Sequence, residues 1–283
     1  MIDDAFYIHR DGSYRSSELT RGPWDRESQH AGPPTALLAR EIERLSGIGE
    51  DRADRHVGRI TFEILRPVPI ATLSVEARVA RPGKRVDMVE AELLSAGEPV
   101  IRARGWRLLR GEVELPSGLS STEADGAPAR AGRPSGATSA PPLPGEIETS
   151  DDFFPTDWEP GYHRAIERRF VSGSFTEPGP AVAWLRPRIA LVAGEPLTPL
   201  QRVMVLADSG NGISSTLDHR EHLFINVDLS VHLQRLPTGE WVGMDALTTP
   251  EPTGVGLSDT MLFDPHGPLG RACQTLLVAR RER

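Results

Sequence analysis

The sequence predicts an α+β chain made of two similar units, with two antiparallel sheets that each accompany one long helix. Three observations carry this. An amphipathic helix followed by four strand-like runs occurs twice, in the same order. A further strand-like run precedes each helix. Between the two sets, residues 115–150 are rich in Pro, Gly, Ala and Ser and have no periodic apolar face, so they cannot bury enough surface to offset their ordering entropy. The 283 residues thus divide into an N-terminal unit, 1–114, a linker or mobile loop, 115–150, and a C-terminal unit, 151–283.

In chain order, AFYIHR reads as the first strand. The first helix lies in SQHAGPPTALLAREIERLSG: Pro33 and Pro34 suit its first turn, Gly47 suits its stop, and Leu37, Leu38, Ile42 and Leu45 form an apolar stripe. Four runs follow: RITFEILRPVP, ATLSVEARVARPGKR, VDMVEAELLSAGEPV and IRARGWRLLR. The second unit opens with AIERRFVS. Its helix lies in LTPLQRVMVLADSGNG, with Thr198 as N-cap, Pro199 at the first helical position and Gly210 past the end. The runs FINVDLSVHLQRLP, GEWVGMDALTTPE, GVGLSDTMLFDPHGP and GRACQTLLVARR complete it. Aligned on the turns AGEP and DPHGP, the final runs place Arg104 opposite Gln274 and Trp106 opposite Leu276.

Composition excludes several classes. With 38% apolar and 25% charged residues the chain is globular, and no apolar run is long enough for a membrane helix, so no membrane association is expected. Asp3 and Asp4 stand where a signal peptide needs positive charge. Cys273 is the only cysteine, which excludes a disulfide framework and a Cys-rich zinc site and fits a reducing cytoplasm. A net charge of −8 argues against a nucleic-acid partner.

Three polar side chains stand out. Leu200, Val203, Met204 and Ala207 recur at helical spacing, and Asp208 takes the next place on that apolar stripe, near a helix C-terminus whose dipole disfavours negative charge. The plainer alternative is a helix that stops one residue early, with Asp208 bonding the turn that follows. Gln274 shares a strand face with Ala272, Leu276 and Val278, where an amide needs partners. Asn226 is harder to place, because strict alternation groups it with Asp228, Ser230 and His232, away from Val227, Leu229 and Val231. Either the strand is late or bulged there, or Asn226 faces away from the helix.

Strand, long helix and antiparallel strands, done twice, is the order of a double hot dog fold, in which each sheet wraps a central helix. With QHAGPPTALLARE, VMVLADSGNG, FINVDLSVHLQR and GRACQTLLVAR in that sequence, the chain resembles the bacterial type II acyl-CoA thioesterase family, in its thioesterase-like branch. The resemblance implies hydrolysis of an acyl thioester, most simply acyl-CoA, with no cofactor, no metal and homo-oligomers as a common assembly. It assigns catalytic roles to Asp208, Gln274 and Asn226: Asp208 as general base, and the two amides holding the attacking water, with Asn226 standing where the family has threonine. His30 and Gly32 belong to a loop that closes over the acyl pocket in similar proteins, which makes them substrate-binding candidates. Two other readings stay open: a non-catalytic acyl-thioester binder and an enoyl-thioester hydratase or dehydratase.

Other nucleophiles fare worse. There is no G-x-S-x-G elbow, and Ser209 reads as a turn residue. Cys273 points to the face opposite Gln274, as a small buried hydrophobe. His219 and His222 lie in a polar loop with no third ligand evident. Arg66, Arg81, Lys84 and Arg85 form the densest cationic set in the sequence and are candidates to meet CoA phosphates, against a default of solvated turn charges.

Overall fold

The computed structural model describes residues 4–46, 55–114, 142–153 and 156–281. Most of the connector, and Gly47 at the expected helix stop, lie outside the described residues. The first unit contains β1 (Ala5–Arg10), β2 (Ser13–Ser16), α1 (Gly32–Arg44), β3 (Arg55–Ile64), β4 (Thr72–Arg81), β5 (Val86–Ser95) and β6 (Glu98–Leu109). The second contains α2 (Gly161–Ala165), β7 (Ile166–Ser172), β8 (Ala181–Pro187), β9 (Ala190–Val192), α3 (Pro199–Ala207), α4 (Gly210–Ile213), β10 (His222–Asn226), β11 (Asp228–Leu233), β12 (Val242–Pro250), β13 (Val255–Asp264) and β14 (Gly267–Arg280). The end of the connector is anchored: Ser150 N–H donates to Arg168 O at 2.8 Å, and Trp184 Nε1 donates to Pro142 O at 2.9 Å.

The expected two sheets are continuous. Their strands run β7-β8-β12-β13-β14-β11-β3-β6-β5-β4-β2-β1-β9, joined by the antiparallel pair β11–β3, with β10 on the end of β14 and one parallel pair, β1–β9. The concave face holds α1 and α3 and a core that includes Phe6, Leu37, Leu38, Ile42, Ile60, Phe62, Val203 and Met204. Burying each such side chain contributes about 1.5–3 kcal/mol, which is why the apolar stripes turn inward.

From α1 onward the two halves are related by a single offset in sequence. Ser230 Oγ donates to Thr61 Oγ1 at 3.1 Å across the β11–β3 join, and Thr35 Oγ1 reaches Met204 O at 3.3 Å where the helices cross; both pairs are 169 positions apart. Residues on a local two-fold axis meet their own counterparts, so these two contacts lie on such an axis. The strand registers obey the same offset: Thr61 pairs Arg104 as Ser230 pairs Cys273. Gly105 therefore answers to Gln274. This corrects the sequence alignment by one residue, and the pleat explains why: Arg104 points outward and is exposed, whereas Gln274 points inward and is buried.

Both helices differ in detail from expectation. Helix α1 ends at Arg44, before Gly47, because the buried Arg107 guanidinium, held by Asp87 at 3.0 Å, donates to the carbonyls of Ile42 and Leu45. Helix α3 starts as expected, with Thr198 Oγ1 accepting from Gln201 N–H and Pro199 in the first turn. It stops at Ala207, and Gly210 opens a second short helix instead of closing the first. A side chain at Gly210 would put its Cβ 2.2 Å from Thr260 Oγ1, so only glycine lets this turn approach the sheet.

Candidate active site

Asp208 is the C-cap of α3 and 7% exposed. Its placement against the helix dipole is offset by converging partners. Asn226 Nδ2 donates to Oδ1 at 2.8 Å and Gln274 Nε2 donates to the same oxygen at 3.0 Å. His30 Nδ1 lies 3.1 Å from Oδ2. The carboxylate is thus met from β10, from β14 and from the loop before α1. Gln274 is fixed at its other end as well, since its Oε1 accepts from the Asn211 N–H at 3.1 Å. Asn211 Nδ2 in turn donates to Phe224 O at 2.7 Å.

Asn226 joins this group through a bulge. It pairs with Leu276, and Ser230 pairs with Cys273, so the strand carries one extra residue between the two pairs. Val227 is that residue: it divides β10 from β11, is exposed, and exchanges backbone bonds with Thr275 O and the Ile64 N–H. The extra residue reverses the alternation. Asn226 thereby shares the face of buried Phe224 and meets Asp208, while Leu229 and Val231 stay in the core. The first half has its register shift between Val57 and Arg59, at the equivalent place.

His30 stacks on Tyr162, with ring centroids 3.7 Å apart and planes 9° from parallel. Tyr162 is buried, and its hydroxyl meets Val205 O at 2.8 Å and Ser209 Oγ at 2.9 Å. Burial holds His30 below the ordinary imidazole value, and the Asp208 carboxylate draws it partly back. Nδ1 also lies 3.1 Å from the Gly32 N–H. The two contacts ask for opposite states of one nitrogen, a lone pair toward Gly32 and a proton toward Asp208, so His30 Nδ1 can serve only one of them at a time. Gly32 itself is a packing residue: a Cβ there would fall 2.1 Å from Val205 O, so glycine allows α1 to start against the backbone of α3.

Several features lay beyond the sequence reading. The only sequence signal for Tyr162 is general, that a tyrosine in an apolar setting needs a partner for its hydroxyl. Ser209 is buried and bonded, more than a turn residue. Cys273 does lie on the face opposite Gln274, but it is half-buried beside Asp259, with Sγ 3.8 Å from Oδ1, and not in the core. Burial and then Asp259 push its thiol up, against thiolate chemistry. The four cations do not form one set: Arg66 follows the far end of β3, while the turn with Lys84 lies beside Arg55 at its start. A groove of about 880 Å³ is on the outer face of the first half among Arg78, Glu90 and Arg104, away from Asp208.

A long antiparallel sheet packed on two central helices is the architecture of a hot dog protein, and here it encloses a carboxylate held by two amides and an imidazole. Comparison with known proteins agrees with this class. Residues 20–108 match the acyl-CoA thioesterase N-terminal domain and residues 139–278 the acyl-CoA thioesterase C-terminal domain. The chain belongs to the acyl-CoA thioesterase family and has its double hot dog fold.

No curated protein matches it in sequence. Among solved structures, it is similar to a Thermobifida fusca protein provisionally described as a thioesterase II, at 16% identity and TM-score 0.70, over 97% of this chain and 95% of that one. A hot dog protein of unknown function from Alicyclobacillus acidocaldarius is 14% identical at TM-score 0.69, over 100% and 98%. An acyl-CoA thioesterase II from Mycobacterium marinum is 13% identical at TM-score 0.63, over 98% and 96%. At such identities the likeness is one of fold. Among the described residues no helix is long and apolar enough to cross a membrane.

Proposed function

We propose that this protein hydrolyses acyl thioesters, with acyl-CoA as the substrate, by general-base activation of water at Asp208. The observation that carries the reading is the buried Asp208 carboxylate with Asn226, Gln274 and His30 converging on it. A carboxylate placed in an apolar interior and braced on one oxygen by two amides is costly to build and is held in a fixed orientation for general-base work.

The amides act differently from the sequence expectation. Asn226 and Gln274 both donate to Oδ1, so they orient the carboxylate itself, and the edge beside Oδ2 and His30 receives the water. Water attacks the thioester carbonyl carbon as its proton passes to Asp208. The tetrahedral intermediate then expels the thiolate, and the proton returns to sulfur, leaving a free acid and a thiol. A thiolate leaves readily, so no covalent nucleophile is needed. Gln274, bonded to Asp208 at one end and Asn211 at the other, is the positioning residue of the set.

The test is release of free thiol from a panel of acyl-CoA chain lengths, by the parent and by Asp208→Ala. Turnover with at least one chain length, lost in the variant by roughly 10²–10⁴-fold, is expected. Binding without turnover across the panel would identify an acyl-thioester binder instead.

A further inference from the structure

Strands β10 and β14, which carry Asn226 and Gln274, both lead outward to one groove. It has a volume of about 400 Å³ and is lined by Pro23, Asp157, Trp158, His219, Arg220 and Arg281. His219 and Arg220 precede β10, and Arg281 follows β14. The groove is tied to the site by packing: Arg281 lies over the Trp24 ring at 5.9 Å, and Trp24 meets Phe224 edge-on at 4.7 Å. Phe224 O is the acceptor for Asn211, which holds Gln274.

The cations here are available to a ligand. Arg281 is anchored through its Nε, which donates to His219 O at 2.7 Å, and its two terminal nitrogens have no hydrogen-bond partner among the described residues. Arg220 is exposed, and its guanidinium has none either. Asp157 is the one carboxylate among the lining residues, so cationic side chains prevail. Trp158 adds an aromatic surface, itself fixed by its Nε1 bond to Gly22 O at 3.0 Å.

We infer that this groove binds the phosphates of the CoA carrier, with Arg220 and Arg281 as their cationic partners. The inference rests on the thioesterase reading above and adds to it the place of the carrier. Length supports it. From Leu276, level with Asn226, to Arg281 the strand advances about 16 Å at roughly 3.3 Å per residue. The arm between the sulfur of CoA and its first phosphorus has about 13 bonds, and at about 1.2 Å each, as in an extended chain, it reaches about 16 Å. A thioester at Asp208 therefore sets the diphosphate beside Arg281 and Arg220, where charge-assisted hydrogen bonds to guanidinium are strongest.

Calorimetric titration of the full chain with CoA and with pantetheine, which lacks the phosphates, tests this, using the parent and Arg220→Glu. Arg220 has no side-chain partner to lose, and an unchanged melting curve verifies that the variant folds. CoA is expected to bind the parent at least tenfold more tightly than pantetheine does, and Arg220→Glu to remove most of that difference while leaving pantetheine unaffected. Equal binding of CoA and pantetheine by the parent, or CoA binding unchanged in Arg220→Glu, overturns the inference. Binding is read without catalysis, so a parent that shows the expected CoA pattern yet releases no thiol retains the groove and loses the hydrolase reading.

Discussion

The two halves of the molecule share strand order, helix placement and even the bulge, yet only the second places a carboxylate and two amides together at the end of its central helix. At the offset of 169 residues, Asp208, Asn226 and Gln274 answer to Ala39, Val57 and Gly105. Ala39 and Val57 are buried apolar residues, and a Cβ at Gly105 would already lie 3.1 Å from Arg59 O and from Val89. The second half contributes the carboxylate and both amides, and the first half contributes His30, Gly32 and a packed wall. The repeated fold thus offers two equivalent places, and three side-chain differences set which of them holds the braced carboxylate.

That comparison is broken most strongly by giving the first half the charge. Ala39→Asp would bury a carboxylate with no amides from Val57 or Gly105 to receive it. A loss of about 3–5 kcal/mol in stability is expected, read by urea denaturation, with no second active site gained. A variant as stable as the parent would mean that the first half can accommodate the same group.

A smaller effect tests how closely the halves must pack. Gly32→Ala places a Cβ against the Val205 carbonyl at the start of α1, and backbone there cannot swing aside as a flexible side chain would. Destabilisation of about 1–3 kcal/mol is expected in the same assay. It should come with weaker turnover, because α1 and its leading loop position His30.

The smallest effect is in pH. Burial holds both His30 and His163 below the ordinary imidazole value, and each neighbours the other, with ring centroids 6.0 Å apart. Below about pH 6.5 the unfolded chain binds protons that the folded chain does not, so stability is full above that pH and falls as pH drops further. Each such proton contributes a slope of at most about 1.4 kcal/mol per pH unit. His163→Phe keeps an aromatic ring beside Phe153 and Phe175 and should flatten the acid limb. An acid limb as steep as the parent's would show that other groups govern it.

Much of this architecture is visible in local sequence because it depends on local rules. Thr198 and Pro199 start α3, the stripe of α1 is buried, and the strand runs fall near their observed bounds. Asp208 and Gln274 were legible for the same reason, since each is a polar residue out of place on an apolar face. What was not legible depends on distance or on single-residue phase. The bulge at Val227 hid the face of Asn226, and the same kind of one-residue slip set Arg104, not Gly105, opposite Gln274. His30 meets Asp208 across more than half of the chain and Tyr162 meets Ser209 47 positions away, and no spacing in the sequence records such contacts.

In the proposed hydrolysis the carboxylate at the end of α3 is the base. Asp208→Asn tests it most directly, since it keeps the shape of the side chain and an oxygen for the Asn226 and Gln274 amides to meet. CoA release is expected to fall by roughly 10²–10⁴-fold while the melting curve and acyl-CoA binding are retained. Release at the parent's rate from a folded Asp208→Asn protein would contradict it.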